Sequence, residues 1–371
     1  MSCWTYYSES IDRIYWIGSA AEHPVRARVE DHLRSRPELA AIGSADLPES
    51  AAVPAAFNTP RTMLVRVGAE DDLGRCPGTH GHLCCNYLTL NIYVGCTLGC
   101  TYCIMQSYLR SRTLEVRLPP VDTAERIRAV AEANPTRTVR LGTGEVGDSL
   151  LYDPLFGLSS DLITALSDVP NLRFELKTKT DYVDHLPTHG VPVRNTVVAF
   201  SLNPDSVVTA EEGAAASLDR RLAAAQRAVE RGYHVAFHFD PMVRIDRWRE
   251  EYGAVADQLG RFRASPPQWI SLGTLRYPAT LRAYIEARPY GLDEFVSSGD
   301  GKMRYLQKER SAMYRMMRAR LAAVLPDTPV YLCMESSAMW RHLQKAVPDR
   351  SGGLSRIMRP LDLSVLQEVS R

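Results

Sequence analysis

Residues 91–109 read NIYVGCTLGCTYCIMQSYL, and they place three cysteines directly after an apolar segment that predicts a strand. Cys96, Cys100 and Cys103 have C-x3-C-x2-C spacing. Three thiolates on one short loop can ligate three irons of a [4Fe–4S] cube, which leaves the fourth iron open to another ligand. A zinc site is the alternative, but zinc sites usually add a second cysteine pair or histidines at fixed spacing, which this stretch lacks. The spacing therefore predicts an iron–sulfur cluster.

Composition limits what else the chain can be. Its 371 residues include 44 basic and 43 acidic ones, so there is no general attraction to nucleic acid phosphates and nucleic acid is a permitted but not a favoured partner. Six of the eight cysteines lie between positions 76 and 103, which indicates metal or redox chemistry in a reducing compartment. Because we find neither an export signal nor an apolar run of about 18 residues, we expect a cytoplasmic protein without a membrane partner.

From residue 88 onward, apolar strand-like segments alternate with charged, Ala- and Leu-rich helical segments. About six such units predict an α/β fold with a partial or complete (β/α) TIM-like barrel. A doubly wound open sheet is the alternative, since sequence alone does not set the strand order. We divide the chain into an N-terminal extension with a cysteine-containing lead-in (1–87), the barrel (88–345) and a C-terminal tail (346–371).

Helices are predicted most clearly at 205–232, which ends with a glycine, and at 246–263, which begins at an aspartate suited to an N-cap. The first 60 residues predict one helix near 25–36 and otherwise loop. In parallel α/β folds the chemistry lies at the carboxyl ends of the strands, so we expect the functional residues in the loops that follow them.

The cysteine motif, with the aromatic residue Tyr102 before its third cysteine, resembles that of radical S-adenosylmethionine (SAM) enzymes. Over about residues 60–345 the chain also resembles the spore photoproduct lyase family, in the segments CPGT, CCNY, CTLGCTYCIMQSYL, GTGEVGDSL, LKTKTDYVDHL, SLNP, GYHVAFHFDPM, SLGTLRY, DGKMRY and YLCMES. The resemblance implies a barrel of the radical SAM type, with a [4Fe–4S] cluster and SAM as cofactors and Tyr102 beside them. It also implies a reductant, such as flavodoxin or ferredoxin, and reductive cleavage of SAM to a 5′-deoxyadenosyl radical.

Polar residues end the second and third predicted strands. Glu145 lies in the glycine-rich GTGEVGDS segment, where it would meet the SAM ammonium, or else it is a solvated acid in a turn. By the resemblance, Lys179 would meet the SAM carboxylate, with Lys177 as the alternative residue for that contact. Either lysine could instead be a solvated charge.

The fourth and fifth predicted strands end in SLNP and HFDP. Ser201 and Asn203 could hold the ribose or the methionine part of SAM, or they could cap the following helix. His238 could be a proton donor, a substrate hydrogen-bond partner or a core imidazole.

Later loops carry cations and aromatic residues that suit a phosphate, a carboxylate or a stacked base. In the resemblance these loops face the nucleotide, whereas single loop charges are otherwise mostly solvated. They contribute Arg276, Tyr277, Lys302, Arg304 and Tyr305, of which Lys302, Arg304 and Tyr305 join Glu145 and His238 as our catalytic candidates.

The chain departs from the resembling family at two positions. The repair enzymes of that family return a hydrogen atom from a thiol in the loop after the second strand, whereas here Glu145 is near that position. The aromatic residue expected just after the third cluster cysteine is Ile104. Substitute thiols could come from the lead-in cysteines, which are otherwise small buried hydrophobes: Cys76, Cys84 and Cys85.

These departures, with the balanced charge, favour a radical SAM lyase that cleaves a C–C bond in a small nucleoside- or nucleotide-type substrate. Decarboxylation of a nucleoside uronic acid, of the cytosylglucuronate type found in nucleoside antibiotic biosynthesis, fits this chemistry, with Lys302 and Arg304 as the cations for the carboxylate. Repair of thymine dimers by a spore photoproduct lyase is the first alternative. A non-catalytic iron–sulfur electron-transfer protein is the second, although simple electron carriers normally ligate every iron with protein.

Overall fold

The computed structural model describes residues 2–50, 58–78, 82–83, 85–188, 193–291, 294–346 and 361–368. Its strands in chain order are β1 (Arg13–Ile17), β2 (Gly43–Leu47), β3 (Thr62–Val67), β4 (Leu73–Arg75), β5 (His82–Leu83), β6 (Leu88–Leu90), β7 (Tyr93–Val94), β8 (Leu114–Leu118), β9 (Val139–Gly142), β10 (Leu172–Thr178), β11 (Thr196–Ser201), β12 (His234–Met242), β13 (Ile270–Thr274), β14 (Arg276–Pro278), β15 (Phe295–Ser297), β16 (Lys302–Tyr305), β17 (Val330–Leu332) and β18 (Glu335–Ser336). Its α-helices are α1 (Cys3–Ser10), α2 (Pro24–Ser35), α3 (Met105–Tyr108), α4 (Thr123–Ala133), α5 (Asp153–Phe156), α6 (Leu158–Leu166), α7 (Asp205–Glu211), α8 (Leu218–Glu230), α9 (Trp248–Gln258), α10 (Arg282–Glu286), α11 (Gln307–Val324), α12 (Ser337–Ala346) and α13 (Ser364–Glu368).

The central sheet has eight strands in the order β17-β13-β12-β11-β10-β9-β6-β4. All neighbours are parallel except β4, which runs antiparallel to β6. From β6 to β17 the spatial order follows the chain order, as in a barrel, whereas a doubly wound sheet reverses direction at a switch point. Because β17 and β4 form opposite edges, the sheet is an open, curled half-barrel. The predicted partial barrel is confirmed, and the closed barrel and the doubly wound sheet are wrong.

A second sheet, in the order β2-β1-β3-β8-β7, lies on the N-terminal side of the molecule. The helix predicted near 25–36 is present as α2, but β1 to β3 were not predicted. The apolar segment before the cysteines, LTLNIYV (88–94), is divided between the two sheets: β6 pairs with β9, and β7 pairs with β8. The loop with Cys96, Cys100 and Cys103 therefore follows β7 of the N-terminal sheet and not, as expected, a strand of the half-barrel.

The long helix predicted over 205–232 is two helices, α7 and α8, separated by a turn. Gly213 in that turn has φ +51°, a left-handed conformation that glycine adopts without steric cost. Ser217 caps α8 by accepting a hydrogen bond from the backbone N–H of Arg220. The segment 246–263 forms α9 and a short 3-10 turn, and its N-cap is Arg247 rather than the expected Asp246.

The concave face of the half-barrel carries small and charged residues instead of the branched apolar residues that fill closed barrels. Paired residues of neighbouring parallel strands share a face, and the register pairs Glu175 with Gly142 and Lys177 with Ala199. Gly142 is needed there because a Cβ atom would lie 1.5 Å from the hydroxyl of Tyr87. None of the helices that the structure describes is long and apolar enough to cross a membrane.

Candidate active site

The three cysteines of the motif share one loop, hereafter the cysteine loop (residues 95–104). Cys96 is solvent-exposed, Cys100 and Cys103 are half-buried, and none of the three forms a disulfide. Burial raises the pKa of the Cys100 thiol to about 12 and also raises that of Cys103, and the positive charge of Lys179 opposes this rise at both. Backbone N–H groups donate hydrogen bonds to the sulfur atoms of Cys96 and Cys103.

This donor set fits a [4Fe–4S] cluster. Cys96 interacts electrostatically with both Cys100 and Cys103, so the three thiols lie near one another on the loop. Over the described residues, no three His, Cys, Asp or Glu side chains converge closely enough to hold a single metal ion. A [4Fe–4S] cluster needs only one thiolate for each ligated iron. Backbone N–H groups that donate to the cysteine sulfurs are among the groups that set the reduction potential of such a cluster.

The glycine-rich segment GTGEVGDS packs directly on the cysteine loop. Gly95 donates its backbone N–H to the carbonyl of Val146 at 3.0 Å and forms a parallel bridge with Gly147. A Cβ atom on Gly147 would lie 2.5 Å from the carbonyl oxygen of Tyr93, so only glycine allows this approach. The segment thereby connects the end of β9 to the cysteine loop.

Three of the predicted cofactor residues converge on one carboxylate. Lys179 donates from Nζ to Oε1 of Glu212 at 2.9 Å, Asn203 donates from Nδ2 at 2.8 Å, and the Tyr102 hydroxyl donates to the same oxygen. Arg221 donates to Oε2. Burial alone would raise the pKa of Glu212, but Lys179 and Arg221 hold it well below the usual range. Sequence reasoning missed Glu212 because it placed this residue inside a continuous helix.

Ser201 and His238 lie side by side on the sheet, paired in the register of β11 and β12. Ser201 is buried, and its carbonyl accepts a hydrogen bond from Arg221 at 2.8 Å. Both ring nitrogens of His238 are occupied, Nδ1 by the Ser271 hydroxyl and Nε2 by Glu175, each at 2.6 Å. Of the three predicted roles of His238, this arrangement supports the core imidazole and not the proton donor or the substrate partner.

The mouth of the half-barrel brings together charged residues and thiols from distant parts of the chain. Arg276 makes a bidentate contact with Asp240, at 2.9 and 3.3 Å, and lies 3.7 Å from the sulfur of Cys333. Burial lowers the pKa of Lys302, and the nearby charge of Arg276 lowers it further. We define the mouth cluster as these residues and three neighbours around Glu145: Cys76, Glu145, Lys177, Asp240, Arg276, Lys302 and Cys333.

Glu145 faces the lead-in cysteines and a lysine. The Cys76 sulfur lies 4.0 Å from Oε2 of Glu145, and burial together with this carboxylate raises the thiol pKa to about 12. Lys177 is half-buried beside Glu145, and although desolvation would lower its pKa, Glu145 and Glu175 raise it. Cys76 and Cys85 interact electrostatically, and Cys84 lies outside the described residues. The lead-in segment therefore does bring a thiol to the mouth.

Two of the predicted substrate residues have structural partners. Arg304 is buried and makes a bidentate ion pair with Asp300, both contacts at 2.7 Å, so its guanidinium is not available to a substrate carboxylate. Tyr305 is fully buried and stacks on Phe295 at a centroid distance of 4.6 Å. Arg304 and Tyr305 are each buried against a partner within the protein, and their role at the substrate stays a prediction. Lys302 remains at the mouth.

A family model described as spore photoproduct lyase matches residues 84–269, which is half of the chain. The chain belongs to the spore photoproduct lyase family. Among curated relatives, the spore photoproduct lyase of Geobacillus sp. (strain Y412MC61) is 25% identical over 256 residues, which cover 64% of this chain and 73% of that protein. The spore photoproduct lyase of Clostridium acetobutylicum is 25% identical over 212 residues, covering 55% and 60% respectively.

Solved structures of spore photoproduct lyase share the fold. One, a double mutant with bound AdoMet and dinucleoside spore photoproduct, has a TM-score of 0.72 at 20% identity and covers 88% of this chain and 99% of that one. Another, complexed with dinucleoside spore photoproduct, has a TM-score of 0.70 at 19% identity and covers 87% and 98%. These similarities confirm the resemblance and the radical SAM type of half-barrel.

Spore photoproduct lyases are radical SAM enzymes, so membership of the family confirms the predicted cofactors, a [4Fe–4S] cluster and SAM. Cys333 lies in the segment YLCMES, but nothing in the sequence indicates that its thiol reaches the mouth of the half-barrel. Cys333 reaches the mouth because β17 completes the half-barrel beside β13. The roles of the individual site residues, the domain limits and the cytoplasmic location stay predictions.

Proposed function

We propose that the chain is a radical SAM carbon–carbon lyase that holds a nucleoside- or nucleotide-type substrate between the cysteine loop and the mouth cluster. The observation that carries this proposal is the contact of Cys76 with Glu145, 4.0 Å apart, which places a neutral thiol beside the glycine-rich segment that packs on the cysteine loop. The [4Fe–4S] cluster and SAM, when bound, supply a 5′-deoxyadenosyl radical that removes one hydrogen atom from the substrate.

The chain's own residues would divide into two sets. Lys179, Ser201 and Asn203, with Tyr102, end strands or line the cysteine loop and would hold SAM. Glu145 would meet either the SAM ammonium or the substrate, since it belongs to the glycine-rich segment and its carboxylate faces Cys76. A Glu145→Gln variant separates these roles: loss of SAM cleavage places it at SAM, and continued cleavage without product places it at the substrate.

Cys76 can close the reaction. After C–C cleavage the product radical needs one hydrogen atom, and a thiol with a pKa of about 12 carries its proton at neutral pH. Donation breaks the S–H bond and leaves a thiyl radical. The thiol is restored either by a hydrogen atom from 5′-deoxyadenosine or by one electron from the reductant and a proton.

Decarboxylation of a nucleoside uronic acid, of the cytosylglucuronate type found in antibiotic biosynthesis, is the first candidate reaction. It needs a cation for the carboxylate, and Lys302, which lies at the mouth beside Arg276, is the candidate, whereas Arg304 is paired with Asp300 and Arg276 with Asp240. Spore photoproduct lyase activity is the second candidate. The thiol of Cys76 at the mouth favours it, because it removes the objection that this chain lacks a hydrogen donor.

An anaerobic assay with reductant and SAM tests the proposal against two substrates, a dinucleoside spore photoproduct and a cytosylglucuronic acid. Conversion of either supports the lyase and selects the reaction, and absence of methionine and 5′-deoxyadenosine with an intact cluster would refute the radical chemistry. The Cys76→Ser variant should still cleave SAM but form less than about a tenth of the product that the wild type forms, because losing one catalytic group typically slows a reaction by more than this factor. Undiminished product formation would exclude Cys76 as the donor.

A further inference from the structure

The turn between α7 and α8 holds the cysteine loop, and no role assigned so far explains it. We call residues 211–216 the clasp turn. The backbone N–H of Thr101 donates to the carbonyl of Glu211 at 2.9 Å, and that of Ala214 donates to the carbonyl of Leu98 at 2.8 Å. A Cβ atom on Gly213 would lie 2.2 Å from the same Leu98 oxygen. The clasp turn thus bonds to both ends of the 98–101 segment.

Glu212 is the centre of the clasp turn, and its side chain is fully buried. A buried carboxylate is tolerated only when its oxygens are satisfied. Here one oxygen accepts from Lys179, Asn203 and Tyr102, and the other accepts from Arg221. Each of these donors comes from a different element, so Glu212 fixes the relative positions of the cysteine loop, the end of β10, the end of β11 and α8.

Glu212 does not fully neutralise the positive charge of Lys179, because it also pairs with Arg221. Arg221 and Glu212 are both fully buried and form a neutral pair, which leaves the ammonium of Lys179 as the excess positive charge of this group. The Lys179 side chain keeps 15% of its surface exposed. Its Nζ also lies 3.0 Å from the Tyr102 hydroxyl, so the cation has a single, well-defined position beside the loop.

We propose that Glu212, supported by Arg221, is a positioning residue that sets the Lys179 ammonium and the Tyr102 ring against the cysteine loop before SAM binds. This rests on the proposed function, in which Lys179 meets the SAM carboxylate. A cation held in place beforehand loses little freedom on binding, so the affinity for SAM is higher than a mobile lysine would give. The charge of the group also contributes to the potential of the nearby cluster.

The test compares Glu212→Gln with Glu335→Gln in the reconstituted full-length protein without substrate. Glu335 is a matched control, because it is buried and ion-paired with Arg310 at 2.9 Å but makes none of these contacts. We expect Glu212→Gln to keep its iron but to bind SAM about tenfold more weakly, which is about 1.4 kcal/mol, as judged by the SAM-induced change in the EPR spectrum. The control should bind SAM like the wild type.

A second variant and a second readout complete the test. If Glu212→Gln does not assemble a cluster, Arg221→Lys takes its place, since it retains the buried charge but cannot reach the three acceptors of Arg221: Ala216, Ser201 and Glu212. The reduction potential of the SAM-free cluster is the second readout, and it should shift in the Glu212 variant only. Wild-type potential together with wild-type SAM affinity overturns the proposal. Because neither readout uses a substrate, failure of the lyase assay leaves this result interpretable.

Discussion

Asp148 connects the glycine-rich segment to the end of β10, and neutralising it tests whether this connection holds the site together. Its Oδ1 accepts hydrogen bonds from the backbone N–H groups of Leu150 and Leu151, both at 3.0 Å, and from the Thr178 hydroxyl at 2.7 Å. Its Oδ2 accepts from the backbone N–H of Lys179 at 2.7 Å. Asp148 is buried, so these four donors replace its water.

The Asp148→Asn variant keeps Oδ1 but directs an amide nitrogen at the N–H of Lys179. One charge-assisted hydrogen bond of about 1.5–3 kcal/mol is lost, and the unpaired buried donor costs about 1–3 kcal/mol more. Burial raises the pKa of Asp148, which shows that the charge itself is costly to desolvate, so part of the loss is recovered in the neutral variant. We expect a net decrease of about 2–3 kcal/mol in the free energy of unfolding.

At this chain length that decrease lowers the Tm by about 3–4 °C. Anaerobic thermal unfolding monitored by circular dichroism measures it, with Asp168→Asn as the matched control. Asp168 makes an ion pair with Arg128 on the surface, and such exposed pairs contribute little, so its variant should unfold at the wild-type temperature. A Tm of Asp148→Asn within about 1 °C of the wild type would refute the view that this carboxylate secures the segment.

Three other perturbations act on the cysteine loop, the turn that bonds to it and the buried His238–Glu175 pair. Cys96→Ala should prevent cluster assembly, which iron and sulfide analysis checks, and a full iron content would contradict the ligand assignment. Gly213→Ala should reduce iron incorporation because its methyl group meets the Leu98 carbonyl, whereas Gly299→Ala, with open space around it, should not. The free energy of unfolding from urea titrations should fall as pH drops below about 6.5, because burial lowers the pKa of His238 in the folded chain and the unfolded chain then binds the proton more readily. It should fall again between about pH 4.5 and 2, because the folded pKa of Glu175 is about 2. A flat profile from pH 8 to 4 would contradict the buried pair.

Regular elements were predictable because their apolar patterns are local. One of the strand-like segments after residue 88, LRFELKT, forms β10 over Leu172–Thr178. The break between α7 and α8 was not predictable, because EEGAAASLD has a high helix propensity and one glycine does not reveal a turn. That turn forms because it bonds to the cysteine loop, more than 100 residues earlier in the sequence, and such tertiary contacts override local propensity.

The site was predictable where chemistry is encoded by spacing and not where it depends on pairing. The cysteine spacing by itself identified the cluster ligands. Arg304 and Lys302 were equivalent in sequence and share one face of β16, but the turn brings Asp300 into a bidentate contact with Arg304. Cys76 directly follows β4 and Cys333 directly follows β17, which are opposite edge strands of the half-barrel, so only its curvature shows that both belong to the mouth cluster.

The balanced charge of the whole chain conceals a local imbalance that can be tested. Among the described residues of the mouth cluster, Lys177, Arg276 and Lys302 face the two carboxylates Glu145 and Asp240. An excess of one positive charge suits a substrate with a single carboxylate or phosphate at this site, and not a duplex bound through many phosphates. Raising the salt concentration from 50 to 200 mM should therefore raise KM by no more than about fourfold, whereas six or more phosphate contacts would change affinity by a factor of about 1000. A change of that size for the converted substrate would show that the chain binds nucleic acid over a wider surface, and it would refute the assignment of recognition to the mouth cluster.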